Sequence, residues 1–294
     1  MFNSKFFITN GLLTLLLTVA STSIYATTTI GVLAPRGELK AMKQWRAFGE
    51  YVGEKIGDNI VIKPYSPKNL ISAATNKEVE FMLSNPTQAV ILQDVHGATP
   101  QATLNKLSGS QFAGVIVAKK GSGITKAEDL KGKKVMSLKF RRAAGAYTFQ
   151  TYHLYKKGID PHKDFASFQE GKKQDDLVLA VKAGIIDAAF VRTGILENMQ
   201  KENKIKMDEF VVVDKVADSS FPFVRSTTLY PEWYMSSLQG TDVAKIDKVK
   251  KAILALKPED EAAMKAKING FIEPVSMDGI KAALKVLKIE PYNK

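Results

Sequence analysis

The chain of 294 residues contains no cysteine. This absence excludes structural disulfides, thiolate metal sites, a catalytic cysteine and attachment through a lipid-modified cysteine. Histidine is scarce as well, and His96, His153 and His162 have none of the spacings of a metal site. The sequence also has no G-x-S-x-G elbow and no phosphate-cradling P-loop. We therefore expect neither an enzyme nor a bound metal or cofactor.

Long apolar runs are missing except near the N-terminus. Lys5 lies in a short polar head, residues 6–20 are uncharged and rich in leucine, and small and polar residues lead to Ala26. This is the layout of a secretory signal peptide, so residues 1–26 are predicted to be removed by cleavage after Ala26 and the protein to reach the periplasm. The alternative is a membrane anchor that stays attached. The apolar run is interrupted and short for that role, which needs about 20 apolar residues.

Charge of one sign is in excess, with 42 Lys and Arg against 30 Asp and Glu and a net charge of +12. A basic protein can bind nucleic acid, an anionic membrane surface or small anions. The export signal argues against nucleic acid. The lysines are scattered without a run of five, so one interpretation is a solvated basic surface. The other is a long-range field that favours an anionic ligand.

Strand and helix patterns alternate in the first part of the chain. Strands are predicted at 28–33, 60–62 and 80–84, with helices at 39–56 and 67–76 between them. Another helix is predicted to start at Asn85-Pro86-Thr87. This order favours an α/β fold with a parallel sheet wound with helices.

A second α/β unit follows a strong strand at 112–118. The chain is predicted to cross between lobes at 119–123 and to return near 221–228. Lobe 1 is thus predicted to contain residues 27–118 and 226–294, and lobe 2 residues 119–225. The further elements of the second unit and the tail are strands at 135–138, 165–168 and 188–191, and helices at 143–157, 174–183, 243–256 and 277–287. Two open α/β lobes with two crossings are expected to bind a ligand in the cleft between them and to close by a hinge motion.

Six short motifs occur in order along the chain. They are Ile30–Gly37 followed by Met42–Trp45, Phe81–Pro86, Ala127–Lys133, Gly158–Pro161 followed by Asp164-Phe165, Ala183–Ala188, and Leu229–Trp233. Together they resemble the phosphate/phosphite/phosphonate-type periplasmic binding proteins. The resemblance implies the type II periplasmic binding protein fold, two α/β lobes joined by two crossover segments. It also implies capture of a small oxyanion, phosphonate- or phosphate-like or of sulfur or arsenic, for an ABC transporter permease.

Within that family, Val191-Arg192-Thr193 with Leu196-Glu197 after it resembles the sensory domains of histidine kinases that respond to tetrathionate. This narrower resemblance implies an alternative function, a free-standing ligand-sensing subunit that signals to a membrane sensor kinase of a two-component system. A periplasmic hydrolase stays open as a third class.

In lobe 1, the candidate ligand-binding residues are Arg36, Trp45, Asn85 and Thr87. Arg36 follows the first strand and precedes a helix, where a guanidinium can face an anion, or it pairs with Glu38 on the surface. The spacing of Trp45 suits the core equally well. Asn85 and Thr87 open a helix whose first N–H groups are free, and simple helix capping is their alternative role.

In lobe 2, the turn after the first strand carries the candidates Arg141, Arg142, Gly145, Ala146 and Tyr147. The resemblance implies a turn rich in serine and threonine that holds the anion here. This chain has alanines and glycine instead, preceded by two arginines. Capture by backbone N–H groups is still expected, whereas phosphonate itself becomes less favoured.

Three more candidates complete the predicted site in lobe 2. Arg192 and Thr193 follow a buried strand, so the guanidinium is expected to point into the cleft or to form a salt bridge between the lobes. Gln174 is expected to reach the cleft or to cap its helix. Because Arg36, Arg141, Arg142 and Arg192 all lie at strand ends, the sequence predicts a cleft that is lined with arginine.

Overall fold

The computed structural model describes Met1 and residues 27–293. The predicted signal peptide, apart from Met1, and its cleavage point at Ala26 lie outside the described residues, so both stay predictions. Among the helices that are described, none has the length and the apolar character needed to cross a membrane.

In the described residues, the strands form two large sheets and a small ribbon. The strands are β1 (Thr27–Leu33), β2 (Asn59–Tyr65), β3 (Phe81–Ser84), β4 (Thr99–Lys106), β5 (Gln111–Phe112), β6 (Gly114–Lys119), β7 (Lys134–Ser137), β8 (Ser167–Glu170), β9 (Ala188–Arg192), β10 (Phe210–Val212), β11 (Tyr230–Pro231), β12 (Tyr234–Ser237) and β13 (Ile268–Ile272).

The helices cover the faces of these sheets. They are α1 (Glu38–Ile56), α2 (Leu70–Thr75), α3 (Pro86–His96), α4 (Phe149–Tyr155), α5 (Pro161–Asp164), α6 (Gln174–Lys182), α7 (Ile195–Lys201), α8 (Val243–Leu254), α9 (Glu261–Ala266) and α10 (Asp278–Val286). A π-helical turn, Ala144–Thr148, leads directly into α4, and short 3₁₀ turns lie at Ala127–Leu130 and Met207–Glu209.

Lobe 1 is built on a six-stranded sheet of order β13-β4-β12-β3-β1-β2. β1, β2 and β3 are parallel, as predicted, but β12 runs antiparallel to both β3 and β4, so the sheet is mixed. Since β12 reverses direction between them, β3 and β4 run the same way. The carboxyl ends of β1, β3 and β4 therefore meet at one edge of the sheet, beside the start of β12.

Lobe 2 is built on a five-stranded sheet of order β10-β6-β9-β7-β8. β7 is parallel to β8 and β9, whereas β6 is antiparallel to β9. The carboxyl ends of β7, β8 and β9 lie at the edge where β6 begins. Because β6 follows the first crossing directly, this edge faces the corresponding edge of lobe 1.

The crossings lie at the ribbon of β5 and β11, where Phe112 pairs with Tyr230. β6 belongs to the second sheet, so the first crossing lies before Gly114, and the predicted boundary after Ala118 is corrected by one strand. Continuous apolar character from 112 to 118 concealed this break. On the return, Ser226 N–H still donates to the Gly114 carbonyl in lobe 2 at 2.9 Å, so the second crossing lies a few residues later than predicted.

An apolar cluster joins the two lobes next to the ribbon, and we call it the apolar junction. The rings of Phe149 from α4 and Tyr230 from the second crossing stack at 3.9 Å between centroids, and Phe112 lies 5.1 Å from Phe149. α10 packs against both α3 and α4. The buried members of the apolar junction are Ala89, Val90, Phe112, Ala144, Tyr147, Phe149, Tyr230, Tyr234, Met277, Ile280, Leu284 and Ile289. The tail of the chain thus contacts both lobes.

Candidate ligand-binding cleft

A cluster of charged side chains lies where the two sheet edges face each other, and we call it the charged cluster: Arg36, Lys106, Arg192 and Glu232. Arg192 ends β9 in lobe 2, and Lys106 ends β4 in lobe 1. Glu232 lies between β11 and β12 and its side chain is fully buried. Its Oε1 atom lies 2.8 Å from Nη2 of Arg192, and its Oε2 atom lies 3.2 Å from Nζ of Lys106. One buried carboxylate therefore faces two cations from opposite lobes.

The Arg192–Glu232 pair is the salt bridge between lobes that the sequence left open for Arg192. The guanidinium also lies over the Phe112 ring, 4.7 Å from its centroid. On the other side of the cluster, Nζ of Lys106 lies 5.3 Å from the Trp233 ring centroid. Aromatic faces attract cations, so the two rings help to hold both charges in place.

The electrostatics of the charged cluster are unbalanced. Burial alone would raise the pKa of Glu232, but Lys106 and Arg192 hold it below its ordinary value. Burial, together with the nearby charges of Arg192 and Arg36, lowers the pKa of Lys106 to about 8 despite the opposing effect of Glu232. Burial makes the largest contribution to this lowering, and the two arginines add to it.

Neither Lys106 nor Glu232 was predicted from the sequence. Lys106 ends a strand that the hydrophobic pattern did not reveal. Glu232 interrupts an otherwise apolar run from Leu229 to Trp233, and a carboxylate inside such a run is the signal that would have identified it.

Arg36 reaches across the cleft. Its Nη2 atom lies 3.9 Å from Oδ1 of Asp175, at the start of α6 in lobe 2, rather than beside Glu38. The Arg36 side chain is 60% exposed, and Asp175 is shared with Lys204 at 3.3 Å. A pair this long and exposed holds Arg36 only weakly, which leaves the guanidinium available to another anion.

Trp45 is not at the cleft. It is 2% exposed and packs edge-on against Phe48 in the core of lobe 1, with ring centroids 5.6 Å apart. The structure thus shows the core placement that its helical spacing also allowed.

Asn85 and Thr87 begin α3 and contact lobe 2. Oδ1 of Asn85 accepts the N–H of Gln88 at 3.2 Å, which caps the helix, while its Nδ2 donates to the carbonyl of Arg142 at 3.1 Å. The hydroxyl of Thr87 lies 3.4 Å from that of Thr148. These residues therefore combine the capping role with a contact between the lobes.

The turn after β7 is held from two sides. Glu170, at the end of β8, forms an ion pair with Lys139 and accepts the N–H of Phe140 at 2.7 Å. Arg141 follows with a φ of 61°, a conformation that is strained for arginine. Arg142 forms a salt bridge of 3.1 Å with Glu290 in the tail, so its guanidinium lies at the rim and not in the charged cluster.

The π-helical turn packs closely against the crossing. A Cβ atom on Gly145 would lie 2.6 Å from the Phe112 ring and 3.1 Å from Cβ of Arg192, so no larger residue fits there. Ala146 is buried, and its carbonyl accepts the N–H of Leu138 at 3.1 Å. The hydroxyl of Tyr147 lies 2.9 Å from Nε2 of His162, within lobe 2.

Gln174 and Thr193 brace the end of β9. Oε1 of Gln174 accepts the backbone N–H of Arg192 at 2.6 Å, and the Thr193 hydroxyl accepts the N–H of Ala113 at 3.3 Å. Both side chains thus fix the backbone from which Arg192 extends. Among the described residues, no group of three or more acidic or histidine side chains is placed to hold a metal ion.

Comparison with known sequences identifies relatives over most of the chain. A family profile described as "ABC transporter, phosphonate, periplasmic substrate-binding protein" matches residues 30–278. The chain is also 30% identical over 230 residues to the tetrathionate sensor histidine kinase TtrS of Salmonella typhimurium. That match covers 76% of this chain but only 38% of the kinase.

Solved structures with the same architecture cover nearly all of the chain. The Prochlorococcus marinus PhnD1 protein in complex with methylphosphonate has a TM-score of 0.68 at 14% identity, covering 89% of this chain and 98% of that one. A Xanthomonas citri protein bound to ATP has a TM-score of 0.74 at 13% identity, covering 92% and 100%. At these identities the likeness shows the fold, the two-lobed type II architecture of periplasmic binding proteins.

Proposed function

The chain belongs to the family of periplasmic substrate-binding proteins of phosphonate ABC transporters, and from this premise we propose that it captures a small oxyanion between its lobes. In this proposal the protein works in the periplasm and presents its ligand to an ABC transporter permease. Substrate-binding proteins are not enzymes, and hydrolysis of a phosphate ester by the purified protein would contradict the assignment.

The charged cluster is the observation that carries this proposal. Arg36, Lys106 and Arg192 come from three different strand ends, and Glu232 neutralises only one of the three charges. Asp175 balances Arg36 loosely at 3.9 Å. Such a site attracts an anion, because a buried cation without a full partner is destabilised until one arrives.

Helix N-termini supply the second element of an anion site. α3 begins at Pro86 in lobe 1, and the π-helical turn begins at Ala144 in lobe 2. Asn85 joins these regions through the carbonyl of Arg142. The first N–H groups of a helix have no partner within it, and the helix dipole favours negative charge there. Both helix ends thus lie where the two lobes already touch, and an anion bound between the lobes would face both of them.

The chemistry of the turn bears on which oxyanion binds. From Ala143 to Ala146 there is no hydroxyl. The phenolic hydroxyl of Tyr147 contacts His162 within lobe 2, and the hydroxyl of Thr148 is fully buried. Arginines bind planar pairs of oxygens well, and sulfur, arsenic and phosphorus oxyanions all offer them. One structural neighbour was solved with methylphosphonate and another with ATP, so the fold leaves the ligand open.

A binding screen tests the proposal. We would measure thermal shifts and then calorimetric affinities with phosphate, methylphosphonate, arsenate, sulfate, thiosulfate and tetrathionate. We expect at least one anion to stabilise the protein in a saturable manner, because a ligand that binds only the folded state raises its unfolding temperature. Absence of binding by the whole panel would contradict the proposal.

The role of Arg192 needs a double variant, because Arg192→Met alone leaves Glu232 buried with one partner. We expect R192M to weaken binding at least 30-fold, about 2 kcal/mol, and R192M/E232Q to stay equally weak. Recovery of binding in the double variant would show that Arg192 serves only Glu232. Arg46→Met is the control, since Arg46 is 73% exposed on α1 and its loss changes the net charge equally.

Sensing is the second candidate function. The 30% identity to a tetrathionate sensor kinase extends over 230 residues, and the chain spans 38% of that kinase. Neighbouring genes for a permease and an ATPase would favour transport, whereas genes for a histidine kinase and a regulator would favour sensing. The biochemical test is whether ligand-loaded protein changes the autophosphorylation of a neighbouring kinase in membrane vesicles.

A further inference from the structure

The ammonium group of Lys106 is surrounded by charged and aromatic side chains from each element that packs against it. Arg192 approaches from β9, Arg36 from the loop after β1, and Glu232 from the segment before β12, where the Trp233 ring also lies. The Lys106 side chain is only 22% exposed, and its Nζ atom is 3.2 Å from Oε2 of Glu232. It is therefore a desolvated ammonium group with one carboxylate and two guanidinium groups as neighbours.

We infer that Lys106 links protonation to ligand binding: in alkaline solution the cleft takes up its anion together with one proton, and Nζ of Lys106 holds that proton. This inference rests on the proposed function, because it concerns the same anion site. It assigns Lys106 as a ligand-recognising residue and makes the charge of the empty cleft depend on pH.

The chemistry of the neighbours leaves Lys106 as the group that titrates. Arginine side chains keep their proton in proteins. The carboxylate of Glu232 is held ionised by its two cations. Burial and the two arginines lower the pKa of Lys106 to about 8. An added anion supplies the negative charge that this pocket lacks, and the pKa of Lys106 then rises toward its ordinary value. The proton comes from solvent and no bond to carbon is made or broken.

The protonation state of Lys106 sets how strongly the cleft binds its anion. Below pH 8 the empty cleft already carries the ammonium form and binds its anion without a proton change. Above pH 8 each binding event must also recruit a proton, so the affinity decreases as the pH rises. The protonated site increases the affinity of a highly charged anion more than that of an anion of lower charge, because the electrostatic attraction scales with the product of the charges.

Calorimetry with the full protein at pH 9 tests the inference. Tetrathionate and sulfate are the preferred probes because they are anions of strong acids and do not titrate near this pH. Each titration is performed in two buffers of different ionisation enthalpy, so that the difference in heat gives the number of protons taken up. We expect uptake of more than half a proton by the native chain and almost none by K106R, which keeps the positive charge.

A matched control is Lys55→Arg. Lys55 also lies over an aromatic ring, 5.5 Å from the centroid of Tyr51, but on the exposed surface of α1. K55R should take up as many protons as the native chain. Some anions, such as methylphosphonate, bind protons themselves. For these, the proton uptake measured with K106R gives the contribution of the anion. The uptake by the native chain minus the uptake by K106R then gives the contribution of Lys106.

The outcomes separate this inference from the proposed function. Anion binding with no proton uptake, or with uptake that persists in K106R, overturns the role of Lys106 while oxyanion capture stands. Failure of every anion in the panel to bind removes the proposed function and this inference with it. A fall in affinity of at least tenfold between pH 7 and pH 9.5 that is abolished in K106R would support it independently.

Discussion

Two of the regions in which the lobes meet have opposite character. At the apolar junction, Phe149 and Tyr230 stack at 3.9 Å beside the tail helix α10. At the charged cluster, Glu232 lies between Lys106 and Arg192 at 3.2 and 2.8 Å. The apolar junction gains free energy from burial, which salt does not screen and pH near neutrality does not alter. The charged cluster depends on both.

The apolar junction therefore holds the lobes together, whereas the charged cluster responds to a ligand. Apolar packing is non-directional and keeps the two sheets joined at the ribbon in any state of the cleft. The charged cluster has more cations than carboxylates, so its partners can exchange for an anion from solution. Stability is thus concentrated at one side of the interface and responsiveness at the other.

The largest effect is expected from truncation at the apolar junction. Phe149→Ala should lower the free energy of unfolding by about 4 kcal/mol, because it leaves a cavity between the lobes. Urea unfolding followed by circular dichroism gives this value. Tyr155→Ala, at the exposed end of the same helix, should change it by less than about 0.5 kcal/mol. Equal losses in both variants would contradict the central role of the junction.

Glu232→Gln should cost about 3 kcal/mol of stability at pH 7, since it leaves Lys106 and Arg192 facing each other without their carboxylate. The pKa of Glu232 is lowered in the folded protein, so its contribution is present above the ordinary carboxyl pKa and is lost as the pH falls through the folded value. The difference between native protein and variant should therefore shrink in acid. A loss that is constant down to pH 3 would mean packing, not charge, and Glu50→Gln on the surface is the control.

Lys106→Met should show how much the buried charge of Lys106 destabilises the folded protein when no ligand is bound. The folded pKa of Lys106 is lowered to about 8, so between that pH and its ordinary pKa the unfolded chain binds more protons than the folded one. Stability of the native chain relative to K106M should then rise by about 2 kcal/mol as the pH rises from 8 to 10. Parallel stability curves for the two proteins across this range would contradict the lowered pKa.

The smallest effect is expected at the rim. Arg142 and Glu290 are each 37% exposed, so their salt bridge should contribute about 0.5 kcal/mol or less in a double-mutant cycle, and less at high salt. A coupling above about 1.5 kcal/mol would show that charged contacts at the rim also hold the lobes together, and the contrast between the two regions would weaken.

Most elements of the fold could be predicted from periodicity. The strands at Thr27–Leu33 and Ala188–Arg192 and the helices at Glu38–Ile56 and Gln174–Lys182 lie within a residue or two of their predicted positions. The strands β4, β12 and β13 were missed because they are antiparallel members of a mixed sheet, rich in polar and small residues, and lack the continuous apolar run of a buried parallel strand.

Two of the four residues of the charged cluster could be predicted from the sequence. Arg36 and Arg192 were selected because they follow strands, and the structure places both in the charged cluster. Trp45 was selected on a spacing that cleft and core share, and it lies in the core. Lys106 and Glu232 could not be selected, because their significance comes from pairing across 126 residues of chain, between a missed strand and the second crossing.

By itself the sequence determined the class of the protein, two α/β lobes with arginines at strand ends, because periodicity and order of motifs are local properties of the chain. Only the tertiary structure decided where the lobes divide, which arginines meet, and that a buried glutamate and a lysine complete the cleft. These depend on strand pairing between distant segments and on desolvation, which changes the charge behaviour of a side chain only after its neighbours have closed around it.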